Sequence, residues 1–241
     1  MSDGPTTPAT PWQDAWFDAA RHQSMTAWRG VESQHGSSTL KLVDSREEHD
    51  LLEEMLEASK PAVPIGGERL HYLLFTPFRY ASPHASRFRK SGEGGIWYGA
   101  DSVEAACAEI AYWRHRFILD SAGLVRQDTE LVTVHTVFAA DVRGTAIDLT
   151  SPPWSSCAAI WTDPQDYTGT QHLAVQARHR AIGWIRYLSV RHPGAQCAAV
   201  LTVDALAETT PRDFQAWTCR AARHRVLFYS RAQAATHSWD F

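Results

Sequence analysis

Two stretches of the sequence gather residue types that can do chemistry. The first runs through Thr76-Pro77-Phe78-Arg79-Tyr80, Ser86-Arg87-Phe88 and Gly95-Ile96-Trp97-Tyr98-Gly99 to Glu109. The second is Tyr187-Leu188-Ser189-Val190-Arg191-His192-Pro193-Gly194. Arginine presents a planar, permanently charged fork that matches phosphate oxygens, and a tyrosine ring offers a face on which a flat cationic ring can stack. A fixed carboxylate stabilises positive charge developing on a sugar carbon as its bond to a leaving group breaks. On residue type alone each has a plainer role. Glu109 reads as a solvated helix residue, Tyr98 as a core aromatic, Ser189 as a strand-end cap, and Arg79 and Arg87 as surface charges.

The elements that must position these residues can be read from periodicity and caps. Trp12, Trp16 and Ala20 fall on one helical face, and a second helix is expected from about Ser45 to Lys60, with a stripe of Leu51, Leu52, Met55 and Leu56. Ser45 with Glu48 has the capping-box spacing, and Pro61, Pro64, Gly66 and Gly67 end the helix. Residues 1–10 read as a disordered start, 11–67 as an N-terminal helical extension and 68–241 as the main domain. That domain is expected to open with a strand over Arg69 to Phe75 and to return, after the flexible Ser91-Gly92-Glu93-Gly94-Gly95 connection, as a strand over Gly95 to Gly99. A helix capped by Asp101 and Glu104 follows, with Ala106, Ile110, Trp113 and Phe117 facing the core. On that helix Ala105 and Ala106 leave space beside Glu109, while Tyr112 and Trp113 supply aromatic walls. β-rich stretches over Leu131 to Val142 and Ala146 to Leu149, a helix from Thr168 to near Gly183, and strands at Trp184 to Tyr187, Cys197 to Val203 and Arg225 to Tyr229 complete an α+β fold.

Composition narrows the function. The 241 residues, 44% hydrophobic and 21% charged, suffice for a real core, and a net charge of -4 lacks the positive field that nucleic-acid binding requires. The triplets Arg114-His115-Arg116, Arg178-His179-Arg180 and Arg223-His224-Arg225 read as solvated faces. Cys107, Cys157, Cys197 and Cys219 form no C-x-x-C pair, and His71, His84, His135 and His172 have no ligand spacing, so no metal is expected. Reduced thiols suit a cytoplasm, and neither export nor membrane insertion is expected from the start of the chain. Rossmann, P-loop and G-x-S-x-G signatures are missing.

From about His71 to Val203 these residues resemble the RES domain, named for its Arg, Glu and Ser. The likeness extends to a longer subgroup whose preface carries segments like Val31-Glu32-Ser33-Gln34 and Lys41-Leu42-Val43-Asp44. Ala85 stands where many relatives have glycine, and Leu188 where proline often precedes the late serine. The resemblance implies a fold similar to ADP-ribosyltransferase toxins, NAD+ as substrate rather than cofactor, and a neutralising Xre-type antitoxin. It implies that Arg79 and Arg87 are the paired arginines, Tyr98 the strand tyrosine, Glu109 the helix glutamate and Ser189 the late serine, with Arg191 and His192 at the rim. The arginines and Tyr98 would bind the pyrophosphate and the pyridinium of NAD+, and Glu109 would face the ribose.

Three functions follow. The first is a toxin that cleaves the nicotinamide–ribose bond of NAD+, with water or inorganic phosphate as acceptor. The second is an ADP-ribosyltransferase that modifies a host protein of nucleotide metabolism. The third is a catalytically silent module that binds NAD+ or a partner, against which the presence of Glu109 speaks.

Overall fold

A computed structural model of the chain describes residues 10–33, 42–127 and 129–241. The expected disordered start, Thr10 excepted, lies outside the described residues, as do Gln34 and Lys41. Among the described residues eight strands form one sheet, in the order β1 (Arg21–Glu32), β2 (Trp97–Ala100), β5 (Gln196–Val200), β4 (Trp184–Leu188), β3 (Leu131–Asp148), β6 (Arg212–Ala221), β7 (Arg225–Ser230) and β8 (Ala235–Asp240). Because β1 also pairs with β3, strands β1, β2, β5, β4 and β3 close on themselves. The other three continue outward from β3. Only β3 and β4 run parallel; the remaining neighbours are antiparallel.

The mixed α+β class is as expected, but the segment before residue 67 is not purely helical. Arg21–Glu32 is a strand whose register with β3 runs without a break from Arg21↔Ala146 to Glu32↔His135. Trp12 and Trp16 flank or join a short 3-10 turn over Asp14–Ala19 instead of an α-helical face. Trp12 is buried against Trp161, with ring centres 5.8 Å apart, and Phe17 meets Trp154 edge-on at 5.1 Å. Such tilted contacts between large rings bury much apolar area and favour this docking over a free helix. The helical part of the expectation holds for α1 (Arg46–Ser59). There Ser45 Oγ accepts from Glu48 N–H at 3.1 Å, and the Glu48 carboxylate accepts in turn from the Asp44 N–H. Its stripe is not covered, since Leu51, Met55 and Leu56 are exposed.

The expected strand over Arg69 to Phe75 is a helix, α2 (Tyr72–Arg79). Leu70 and Leu74, four residues apart, are both buried, and the His71 imidazole caps the first turn by accepting from Leu73 N–H. A side chain on Gly95 would lie 1.4 Å from the Pro77 carbonyl oxygen, so this glycine permits a close approach between the loop and α2. The Gly-rich connection thus has a steric reason beyond flexibility.

Helix α3 (Val103–Asp120) begins as expected to within a residue, although Ser102 is the cap that accepts from Ala105 N–H. Its buried face is made of small residues, Ala105, Ala106, Cys107, Ala108 and Ala111, with His115 and Ile118. Small side chains let the helix axis approach the sheet, and the large ones go to the other side. Trp113 and Phe117, expected in the core, are about half exposed at 50% and 52%. The two β-rich stretches around Gly144 are one strand, β3, and β6 and β8 are strands the periodicity did not reveal. Short helices α4 (Ala122–Gln127) and α5 (Ala158–Trp161), and α6 (Thr168–His179), complete the chain. Trp97, Trp184 and Phe138 are fully buried within one cluster of the core. No helix among the described residues is long and apolar enough to cross a membrane.

Candidate functional site

A cavity of about 760 Å³ opens between β1, β2, α3 and the loop that follows α2. That volume lies within the roughly 300–1,000 Å³ of pockets that enclose a small organic ligand. Trp28, Arg29 and Gly30 reach it from β1, Tyr98 and Gly99 from β2, and Glu109, Tyr112 and Trp113 from α3. Ser86, Arg87 and Arg89 reach it from the loop, and Tyr167 and Arg191 from the far side.

Glu109 is the centre of the polar arrangement. Its position in the second turn of α3, above the alanine face, places the carboxylate where the turn after β4 arrives. Ser189 is buried at the end of that strand and donates to Glu109 Oε1 at 2.7 Å. The same serine oxygen accepts from the Arg191 N–H at 3.2 Å and the His192 N–H at 3.0 Å. Ser189 is therefore oriented by two backbone donors, so that its own proton has one direction left, toward the carboxylate. Burial pushes the Glu109 carboxyl above the ordinary range, while the Ser189 hydrogen bond and the charges of Arg191 and Arg87 pull the other way.

Arg87 is held by α5 and the segment after it. Its Nη1 donates to the carbonyls of Trp161 and Asp163, both at 2.9 Å, and its guanidinium lies 4.8 Å from the centre of the Tyr167 ring. Helix α6 fixes the loop itself. Thr170 donates to the Arg87 carbonyl, and Gln171 to the carbonyls of Ser86 and Arg89. Arg191 lies 3.4 Å over the Tyr112 ring, and its Nη2 donates to the Pro164 carbonyl. Tyr98 presents its ring to the cavity, but its hydroxyl is engaged: it accepts from Phe88 N–H at 3.2 Å and shares a 2.9 Å hydrogen bond with Ser86. This residue couples β2 to the arginine loop.

The structure brings together Arg87, Tyr98, Glu109 and Ser189. It does not bring Arg79 to them. Because the preceding segment is a helix, Arg79 turns toward α1, where Nη1 donates to Glu57 Oε1 at 2.8 Å and Nε to the Pro61 carbonyl. Arg79 is not among the residues that line the cavity, whereas Thr76, Pro77 and Tyr80 of the same segment are. Arg191 is at the wall, and His192 contributes its backbone N–H.

Sequence reasoning missed Arg29. It lies in the segment read as helical, and only a period-two reading of 21–32 would have drawn it to the sheet. Its Nη1 donates to the Tyr98 carbonyl at 2.9 Å, and its guanidinium stands 5.6 Å from the Trp97 ring centre. Its buried Nε has no hydrogen-bond partner, and no carboxylate of the described residues pairs with it. Burial pushes its pKa down to about 10, which leaves the group charged at neutral pH. A buried cation without a counter-ion is costly, and an anionic ligand in the cavity would offset that cost. Cys197 also lines the cavity, but burial pushes its thiol up, away from a nucleophilic thiolate.

The site is thus a cleft with cationic forks, aromatic faces and one restrained carboxylate, on a closed α+β sheet. The model of the RES domain matches residues 63–237, and the chain belongs to that family. Among solved structures, the crystal structure of the M. tuberculosis MbcT–MbcA toxin–antitoxin complex is similar at a TM-score of 0.49 and 12% identity, over 86% of this chain and 91% of that one. Comparison with curated proteins finds no match.

Proposed function

We propose that the protein binds NAD+ in this cavity and breaks the bond between nicotinamide and ribose, as a toxin of a toxin–antitoxin module. The observation that carries the reading is the Ser189–Glu109 pair, a cavity carboxylate held by a 2.7 Å hydrogen bond and subject to the charges of Arg191 and Arg87. Family membership, and the resemblance on the matched residues, supply the substrate class. Arg87 and Arg29 supply guanidinium groups for the pyrophosphate, with Arg29 taking the place assigned from the sequence to Arg79.

As the glycosidic bond breaks, its electron pair goes to the nicotinamide nitrogen and neutralises the pyridinium. Positive, oxocarbenium-like character grows on the ribose. Glu109, ionised and aligned by Ser189, stabilises that charge, because it need not reorganise as the charge appears. An acceptor oxygen then forms the new bond to the ribose carbon, and the proton of water or of phosphate passes to solvent. The Tyr98 and Tyr112 rings in the cavity lining shield the reacting carbon. Transfer to a protein uses the same first step, so it is the second reading, and an Xre-type protein is the proposed antitoxin.

The test is to incubate the pure protein with NAD+, with and without phosphate and a cell lysate, and to identify products by mass spectrometry. Nicotinamide with ADP-ribose indicates water as acceptor, ADP-ribose 1''-phosphate indicates phosphate, and a mass gain on a lysate protein indicates transfer. No nicotinamide under any of these conditions would refute the enzymatic reading.

A further inference from the structure

Helix α3 leaves two large aromatics in solvent where its core face would have taken them. Trp113 and Phe117 are 50% and 52% exposed, yet both line the cavity that holds Glu109. At a rise of about 1.5 Å per residue they stand about 6 Å and about 12 Å along the helix from Glu109, toward its C-terminal end. Arg116, between them in sequence, lines the same wall. Its ion pair with Asp120 is long, at 3.4 Å, and both partners are exposed, so its guanidinium is weakly held. The wall of α3 therefore runs from a buried carboxylate, through Tyr112 under the Arg191 guanidinium, to a pair of exposed flat rings.

We infer that Trp113 and Phe117 form the platform on which the adenine of the dinucleotide stacks, so that α3 measures the substrate from its reacting ribose to its far base. This deepens the NAD+ reading and rests on it. Three observations select this occupant. The rings line the cavity that holds Glu109, and they line as well a smaller pocket beside Glu32, Ile110 and His135. Their displacement is along the helix, away from Glu109, as the far end of a long ligand requires. Neither ring carries charge, and the adenine face is a neutral, aromatic surface that stacks on such rings. The nicotinamide end is cationic and is provided for at the other end, beside Glu109.

The experiment uses the full chain and the double variant Trp113→Ala/Phe117→Ala, whose side chains are half exposed and whose fold is checked by circular dichroism. Release of nicotinamide from NAD+ is measured with ADP and inorganic pyrophosphate as inhibitors. Stacking of a base is worth about one to two decades in affinity. The KM for NAD+ and the inhibition constant of ADP should therefore each rise about tenfold or more. The kcat and the inhibition constant of pyrophosphate, which has no base, should stay within twofold (about 0.4 kcal/mol). Trp113→Phe should retain most of the affinity.

If the unmodified chain turns over NAD+ and the double variant binds NAD+ and ADP as well as it does, the platform is refuted and the NAD+ reading stands. Equal weakening toward ADP and pyrophosphate also refutes it, since that would be a general disturbance of the site. If the unmodified chain neither turns over NAD+ nor binds it by calorimetry, the underlying reading falls, and the platform with it.

Discussion

Replacing Ser189 with alanine removes one hydroxyl and isolates what that hydroxyl does. In the structure it makes a single donated hydrogen bond, 2.7 Å to Glu109 Oε1, and that bond lowers the carboxyl's pKa against the burial that raises it. A hydrogen bond to a charged group contributes about 1.5–3 kcal/mol, and about 1.4 kcal/mol corresponds to one pKa unit. Its loss should therefore raise the Glu109 pKa further. In the proposed mechanism Glu109 acts as the carboxylate, so activity is lost as pH falls through its pKa, and the acid limb of the kcat profile should move to higher pH in Ser189→Ala. Where the limb crosses neutral pH, kcat at pH 7 drops about tenfold or more, and raising the pH restores most of it. The assay is nicotinamide release across the pH range under saturating NAD+. Ser189→Thr, which keeps the hydroxyl, serves as control. An unmoved acid limb with an unchanged kcat would refute the argument that Ser189 holds Glu109 in its active form. Loss of kcat at every pH without a moved limb would refute it too, because misfolding or lost contact explains that pattern.

Three further outcomes are expected. Burial raises the Glu109 pKa above its unfolded value, so the folded state holds the proton more tightly and stability falls as pH rises through that window; Glu109→Gln should remove this dependence, and its Tm advantage over the unmodified chain should grow with pH in calorimetry. An advantage that shrinks with pH would contradict it. Arg79→Ala should leave the KM for NAD+ within twofold (about 0.4 kcal/mol), because the side chain faces Glu57 and Pro61 instead of the cavity. Arg29→Met should raise that KM about tenfold to a hundredfold while leaving Tm unchanged or higher, since it removes a buried charge that has no carboxylate partner. A normal KM in Arg29→Met, or a raised one in Arg79→Ala, would reverse the assignment of the second arginine.

The sequence made some of this legible and not the rest, for local reasons. Glu109 and Tyr98 were within reach because a capped helix follows a short strand at once, and such a junction keeps its spacing in the fold. Ser189 was likewise placed by the end of β4. Arg79 was misplaced because Leu73 and Leu74 with Phe75 suit a strand as well as a helix over so short a run. What decides it is the His71 cap on Leu73 N–H, which starts a helix whose buried residue is Leu74. Arg29 escaped because β1 is largely exposed along its outer face and carries few β-branched residues, so its pairing with β3 comes from partners more than a hundred residues away. Trp113 and Phe117 followed the helical period, but periodicity does not say which of two faces is buried. The alanine face won because it lets α3 lie close to the sheet.

The closed ring of strands also orders events during synthesis. Strand β1 leaves the ribosome early and has no partner until β2 and β3 follow. The ring then stays open until β5, Gln196–Val200, joins β2 to β4. Ser189 precedes that last strand by only a few residues, and its backbone amide is tied to Ala195 in the turn between β4 and β5. A nascent or prematurely terminated chain that ends before β5 therefore has neither a closed wall behind the cavity nor a clamped Glu109. Competence thus waits on the emergence of Gln196–Val200.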